Sequence, residues 1–321
     1  QIRTKKTVFI KESVWEKHKN TLMCGLTLDK INEMGGVNVN KYLAYLALCN
    51  SATDEWVEFD IDKSIVVDDM ETLVNGDVDF IDHKTYTITR KNMNIPITHT
   101  DGCGMILPKL SNKNFMVRLP WIKGLLASFD FVKFIEEANK KNPNINHGIV
   151  KDIYGKEYDI IKDDIQIIFT KSQFKMWKYY SSWDEYKENY KRYNCSAGKC
   201  NEEEDQFDDA RLNYQMLQTL VDITDDELEV ICERTKKKIH SIAKDRKTML
   251  EVFRATDDNL HKNSCQQALF LYGELLQDEY TVNTLRDIKR SMVKEAWSAK
   301  VDLNAKYTFL IPDLYAFCEY L

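Results

Sequence analysis

Lys123-Gly124 and the turn Asp101-Gly102-Cys103-Gly104 are the stretches where residue type and spacing concentrate chemistry. A lysine beside a glycine presents its ammonium where no neighbouring side chain blocks a backbone or a phosphate. Arg118, on the apolar run that precedes it, adds a second cation. Gly102 and Gly104 stand at the edge of another apolar, β-type run, and glycine there allows close approach of backbone and ligand. Asp101 reads most simply as a residue that caps its own turn, accepting from backbone amides two residues on.

Other chemistry is sparse. The 6 histidines are dispersed, and His99, the one near the turn, reads as a packing or turn residue. The chain has no Gly-x4-Gly-Lys-Ser/Thr phosphate loop, no Gly-x-Ser-x-Gly elbow and no His-Glu-x2-His metal helix. The 8 cysteines lack the dense spacing of a disulfide framework, so reduced thiols are expected. Cys195 and Cys200 supply only half of a tetrahedral zinc site. The acidic run 201–205 reads as a solvated loop, because clustered carboxylates prefer water, and no metal site is expected in it.

Two stretches mix charge with other signals. Lys171 to Tyr193 interleaves eight aromatics with lysines and Arg192. Such a mixture stacks bases and pairs phosphates, but the simpler reading is an amphipathic helix that buries an aromatic stripe and wets its lysines. Lys236, Lys237 and Lys238, with Lys244 beyond them, make the best phosphate-tracking helix in the chain, although a charge run is more often a soluble face.

The elements that must position these residues fall into three textures. Residues 1–55 read as a helical lead-in: a strand at Thr7 to Ile10, then helices, two of them broken at Gly35-Gly36. Residues 56–171 carry β-branched and aromatic alternation. Strands are expected at Ile65 to Val67, Val78 to Ile81, Tyr86 to Arg90, Pro96 to Thr98, Gly104 to Leu107, Phe115 to Leu119 and Ile165 to Phe169, with short helices at Pro120 to Ser128 and Phe131 to Lys140. Residues 172–321 are mainly helical. Apolar faces are expected from Leu212, Met216, Leu217, Leu220 and Val221, and from Leu228, Val230, Ile231, Ile239 and Ile242; Thr224 and Glu227 form a capping box.

Bulk properties bound the reading. A chain of 321 residues with 43% hydrophobic and 30% charged content buries a sizeable core. Its net charge of -6 argues against a uniformly basic nucleic-acid binder and leaves local patches open. No apolar run approaches the ~20 residues that cross a bilayer, so no membrane partner is expected and the expected address is cytoplasmic.

The Asp-Gly-x-Gly turn followed by Arg-x4-Lys-Gly resembles the first double-psi β-barrel of the two-barrel RNA polymerases. The similarity is to the single-chain branch, with RNA-silencing RNA-dependent RNA polymerases and their prophage and mobile-element relatives. The resemblance implies an α+β fold, a double-psi β-barrel-like domain followed by a mainly helical connector. It also implies that Lys123 reaches the active site and contacts phosphates, with Arg118 orienting the lysine loop or contacting nucleic acid. Asp101, Gly102, Gly104 and Gly124 then serve the architecture.

The implied partners are NTPs, an RNA or DNA template and a second barrel. In the family that barrel holds Mg2+ on an Asp-x-Asp-Gly-Asp loop. This chain has only imitations of it, Asp60-Ile61-Asp62-Lys63 and Gly76-Asp77-Val78-Asp79. The passage Tyr307 to Cys318 is similar to the one that leads toward the second barrel. The chain therefore reads as an excerpt that starts at a residue other than Met, stops inside an apolar run, and is inactive alone. The alternative is a non-catalytic nucleic-acid-binding or scaffold protein.

Overall fold

The computed structural model describes residues 9–52, 54–204 and 209–321. The described chain divides into two compact units, residues 9–204 with 309–321, and residues 209–308. The fold is α+β.

In the first unit the strands are β1 (Asp54–Glu55), β2 (Ser64–Val67), β3 (Glu71–Ile81), β4 (Ile88–Thr98), β5 (Cys103–Ile106), β6 (Phe115–Leu119), β7 (Ile122–Ser128), β8 (Ile149–Lys151), β9 (Glu157–Asp159), β10 (Ile167–Thr170) and β11 (Gly198–Glu202). Seven form one mixed sheet in the order β1-β11-β6-β7-β5-β10-β2. The pairs β5–β7 and β10–β2 are parallel and the other neighbours antiparallel. Strands β2, β5 and β10 are buried along their whole length, as unbroken apolar runs covered on both faces should be. Strand β6 alternates, with Phe115, Val117 and Leu119 in the core and Met116 and Arg118 half-buried on the other face.

Strands β3 and β4 form a separate two-stranded ribbon, paired without a break from Glu71↔Thr98 to Ile81↔Ile88. Three short expected strands thus merge into two long ones. The polar residues between the expected strands are ladder pairs, with Asn75 Nδ2 donating to Asn94 (3.0 Å) and Asn92 Nδ2 to Asp77 (2.9 Å).

The helix expected over Pro120 to Ser128 is the strand β7. Its short apolar run gives no reliable periodicity, and pairing on both sides, to β5 and β6, decides the matter. Helices α1 (Glu12–Leu22), α2 (Leu28–Glu33), α3 (Val39–Cys49), α4 (Phe131–Lys141) and α5 (Trp183–Arg192) surround the sheet. Gly35 and Gly36, at φ +99° and +71°, break the run between α2 and α3 as expected. Of the strand expected at Thr7 to Ile10, residues 7–8 lie outside the described residues and Phe9–Ile10 are not in a strand.

Phe174, Tyr180, Trp183 and Tyr186 are buried in the core of this unit. Each polar handle there reaches a backbone carbonyl: Trp183 Nε1 donates to Ser64 (2.8 Å), Tyr186 Oη to Pro120 (2.7 Å) and Tyr180 Oη to Cys24 (3.0 Å). These rings are core and not available to stack bases, while Trp177 and Tyr193 of the same stretch are half-buried.

The second unit holds helices Tyr214–Thr219, Asp225–Ser241, Arg246–Val252, Ser264–Leu271 and Glu279–Trp297, with a small ladder between Asp209–Arg211 and Asp302–Lys306. Thr224 and Glu227 make the expected capping box. Ile242, Ala255, Leu269, Leu276 and Leu285 form its core. Met216, Leu220, Val221 and Val230 are exposed against expectation. Val230 follows Leu228 by two residues, which places it about 200° around the helix. No helix among the described residues is long and apolar enough to cross a membrane.

Candidate functional site

Strands β6 and β7 are joined by a two-residue turn, Pro120-Trp121. Trp121 takes φ +66°, a conformation that bulky residues avoid. It is held there by complete burial, a hydrogen bond from its Nε1 to Met23 O (2.7 Å) and a ring contact with Tyr42 at 5.8 Å. This rigid turn sets the register in which Arg118 lies directly opposite Lys123.

A third cation joins them. Lys123 N donates to Gln173 O (3.2 Å) and Lys175 N to Trp121 O (2.8 Å), so the segment Gln173–Lys175 runs alongside the turn. The Lys123 ammonium is held below its usual value near 10.5, first by burial and then by the charges of Lys175 and Arg118. Beneath them the Cys49 thiol at the end of α3 is pushed up to about 12 by burial, against the pull of all three cations.

None of the three has a carboxylate partner among the described residues. Lys175 Nζ donates to Ser172 O, and Arg118 Nη1 to its neighbour Val117 O (2.8 Å). Arg118 Nε is buried with no hydrogen-bond partner. Like charges directly opposite on neighbouring strands destabilise a sheet. Three half-buried cations without a counterion among the described residues, one with a buried donor unused, have the chemistry to hold an anion. A cleft of 410 Å³ beside Arg118 is lined in part by Cys49, Asn50, Glu55 and Gly198.

The glycines serve a single buried side chain, Gln173. Its Nε2 donates to Leu125 O (2.9 Å), and its Oε1 accepts from Thr170 N (3.0 Å). A Cβ at Gly104 would collide with Ile168 O and Gln173 Oε1 (2.6 Å), and one at Gly124 with Gly102 O and Gln173 Nε2 (2.5 Å). Both glycines therefore make room for the carboxamide that ties β10 to β7. Gly102 has a different role, φ +72° in the turn, with open space around it.

Asp101 is exposed and makes no hydrogen bond to its own turn, which is closed by Cys103 N donating to Thr100 O (2.9 Å). The organising carboxylate is Asp69 instead. It accepts from Ser172 N (2.8 Å), Ser172 Oγ (2.6 Å) and Thr100 Oγ1 (3.0 Å), while Gly102 N donates to Ser172 Oγ (2.7 Å). Sequence reasoning missed Asp69, Ser172 and Gln173 and gave Lys175 no separate role. The signal on offer was two glycines inside strands, which announces a close approach but not by what.

In the second unit, Lys236, Lys237 and Lys238 share the helix Asp225–Ser241 and are matched by local carboxylates: Glu229 (3.0 Å), Glu233 (2.6 Å) and Asp302 (3.5 Å). Lys244 lies beyond that helix, exposed and without an ion pair among the described residues. The sequence-predicted cations therefore form two groups, one in each unit.

Cys195 and Cys200 do not form a pair. Cys195 neighbours Cys24, and Cys200 Sγ approaches Met116 O at 3.6 Å. Among the described residues no cluster of three or more His, Cys, Asp or Glu side chains suits a metal ion. The donors among the described residues do not fit Mg2+.

No family model matches the chain. Along its whole length it is similar to a protein of Bacillus phage SPbeta named DNA-directed RNA polymerase YonO, with 56% identity over 322 residues, and it spans 37% of that relative's length.

Proposed function

We propose that the chain is part of a template-dependent RNA polymerase, in which the Lys123, Arg118 and Lys175 cluster contacts phosphates of the incoming NTP or the growing RNA. The observation that carries this reading is the cluster itself, three half-buried cations with no ion-paired carboxylate among the described residues. The name of the phage relative supports the reaction and favours a DNA template. The two parallel strand pairs of the sheet, β5–β7 and β10–β2, are compatible with a first double-psi barrel followed by a helical connector.

In nucleotidyl transfer the RNA 3′ oxygen forms a bond to the α-phosphorus as the bond to pyrophosphate breaks, and negative charge moves onto the leaving group. Fixed cations aimed at that charge stabilise the transition state without reorganising. Lys123 supplies such a charge from a rigid hairpin, and the unused donor of Arg118 supplies a directed hydrogen bond. The Mg2+ that the reaction requires belongs, in this proposal, on an Asp-x-Asp-Gly-Asp loop of a second barrel outside these 321 residues.

The test is templated RNA synthesis by the complete polypeptide that carries this chain, with NTPs and Mg2+. Wild type should extend RNA, and Lys123→Ala should reduce the rate by about 100-fold or more, as loss of a transition-state donor does. Salt-sensitive nucleic-acid binding with no incorporation would favour the binding or scaffold reading.

A further inference from the structure

A cavity of 590 Å³ in the second unit has an aliphatic floor and a cationic rim. The floor is Ile242, Met249, Leu276, Val282 and Leu285, three of which belong to the core of that unit. The rim carries Arg246, Arg286 and Lys289.

Two of the three rim cations, Arg286 and Lys289, have no ion pair among the described residues, while Arg246 pairs with Glu274. Arg286 and Lys289 lie one turn apart on the helix Glu279–Trp297, where like charges repel. Arg286 donates only to Asn283 Oδ1 (3.0 Å), and half-buried Lys289 has no partner among the described residues. Arg246 lies against the backbone of Gly273, in space a Cβ would fill, and forms a loose ion pair with Glu274 at 3.6 Å. Glycine at 273 is thus what lets a guanidinium lie at the mouth of an apolar slot.

We infer that this cavity is a second anion site, one that takes a nucleoside phosphate with its base in the aliphatic slot and its phosphates on Arg286, Lys289 and Arg246. Its size matches cavities that enclose small ligands, which are mostly apolar with a few polar groups that fix orientation. A flat base fits between aliphatic side chains, and Gln277 and Glu274 at the edge offer donors and acceptors to it. A bare polyphosphate leaves the floor unused, and an uncharged nucleoside leaves the rim unused.

The experiment is calorimetric titration of the full chain with ATP, inorganic triphosphate and adenosine. It covers wild type, Arg286→Ala/Lys289→Ala, the charge-keeping Arg286→Lys/Lys289→Arg, and Lys123→Ala, with thermal melts to confirm folding. A saturable ATP component should weaken at least tenfold in the alanine pair and persist in the charge-keeping pair and in Lys123→Ala. Triphosphate and adenosine should each bind this component at least tenfold more weakly than ATP. The inference is overturned by no saturable ATP binding to folded Lys123→Ala, by unchanged affinity in the folded alanine pair, or by triphosphate binding to Lys123→Ala as tightly as ATP.

Discussion

At the scale of single residues, the Lys123 ammonium is a charge that the fold does not reward. Its ammonium is held below the usual lysine value, so the unfolded chain keeps that proton more firmly than the folded one. The charged lysine therefore destabilises the fold at neutral pH, and the penalty lifts as pH rises through the folded value. Lys123→Met should leave stability unchanged or raise it by up to ~1 kcal/mol, the size of a relieved like-charge cross-strand pair, as read by urea denaturation. A clear loss of stability would mean that the lysine is structural. Anion affinity should in turn weaken at a lower pH than for an ordinary lysine, because only the charged form holds phosphate. The sequence pointed to Lys123 and Arg118 because a lysine-glycine pair after an apolar strand is a local signal. It misassigned Asp101, because the true organiser, Asp69, acts on Ser172 from 103 residues away. Asp69→Ala should cost about 1–3 kcal/mol, since Ser172 N and the Thr100 hydroxyl lose their acceptor.

At the scale of elements, Gln173 and the glycines around it are one device. Gly104→Ala and Gly124→Ala should each cost about 1–3 kcal/mol or more, because the new methyl meets backbone carbonyls that cannot swing aside. Gly102→Ala should cost only ~1–2 kcal/mol, the penalty of its left-handed backbone, as the space around it is open. Equal costs at all three positions, read from denaturation midpoints, would contradict the packing argument. Strand β6 was legible at its full length because its alternation is strict, while β7 was misread as a helix because Ile122–Ser128 is apolar on both faces. Strand β11, in a stretch whose texture is helical, owes its place in the sheet to pairing with β6 and β1, which no local pattern announces. The long ribbon was seen only in fragments for the same reason: its polar cross-strand pairs are stable only in register.

At the scale of the whole molecule, charge is balanced locally rather than by net sign. The chain carries -6 overall, and its longest basic run, on the helix Asp225–Ser241, is matched by nearby carboxylates, yet the hairpin of the first unit and the segment beside it hold three cations with no ion pair among the described residues. Exposed ion pairs are worth roughly 0–1 kcal/mol, so the paired helix can trade its carboxylates for phosphates at little cost. The unpaired hairpin cluster gives up nothing. An anion should therefore prefer the hairpin, and its binding should be set by Lys123. The most direct measurement is the affinity of the chain for inorganic triphosphate at neutral pH and low salt, by calorimetry, for wild type, Lys123→Ala and Arg286→Ala/Lys289→Ala. The account predicts a loss of about tenfold or more for Lys123→Ala, the worth of one charge-assisted hydrogen bond, with little change in the other variant. Equal affinity in wild type and a folded Lys123→Ala would contradict it.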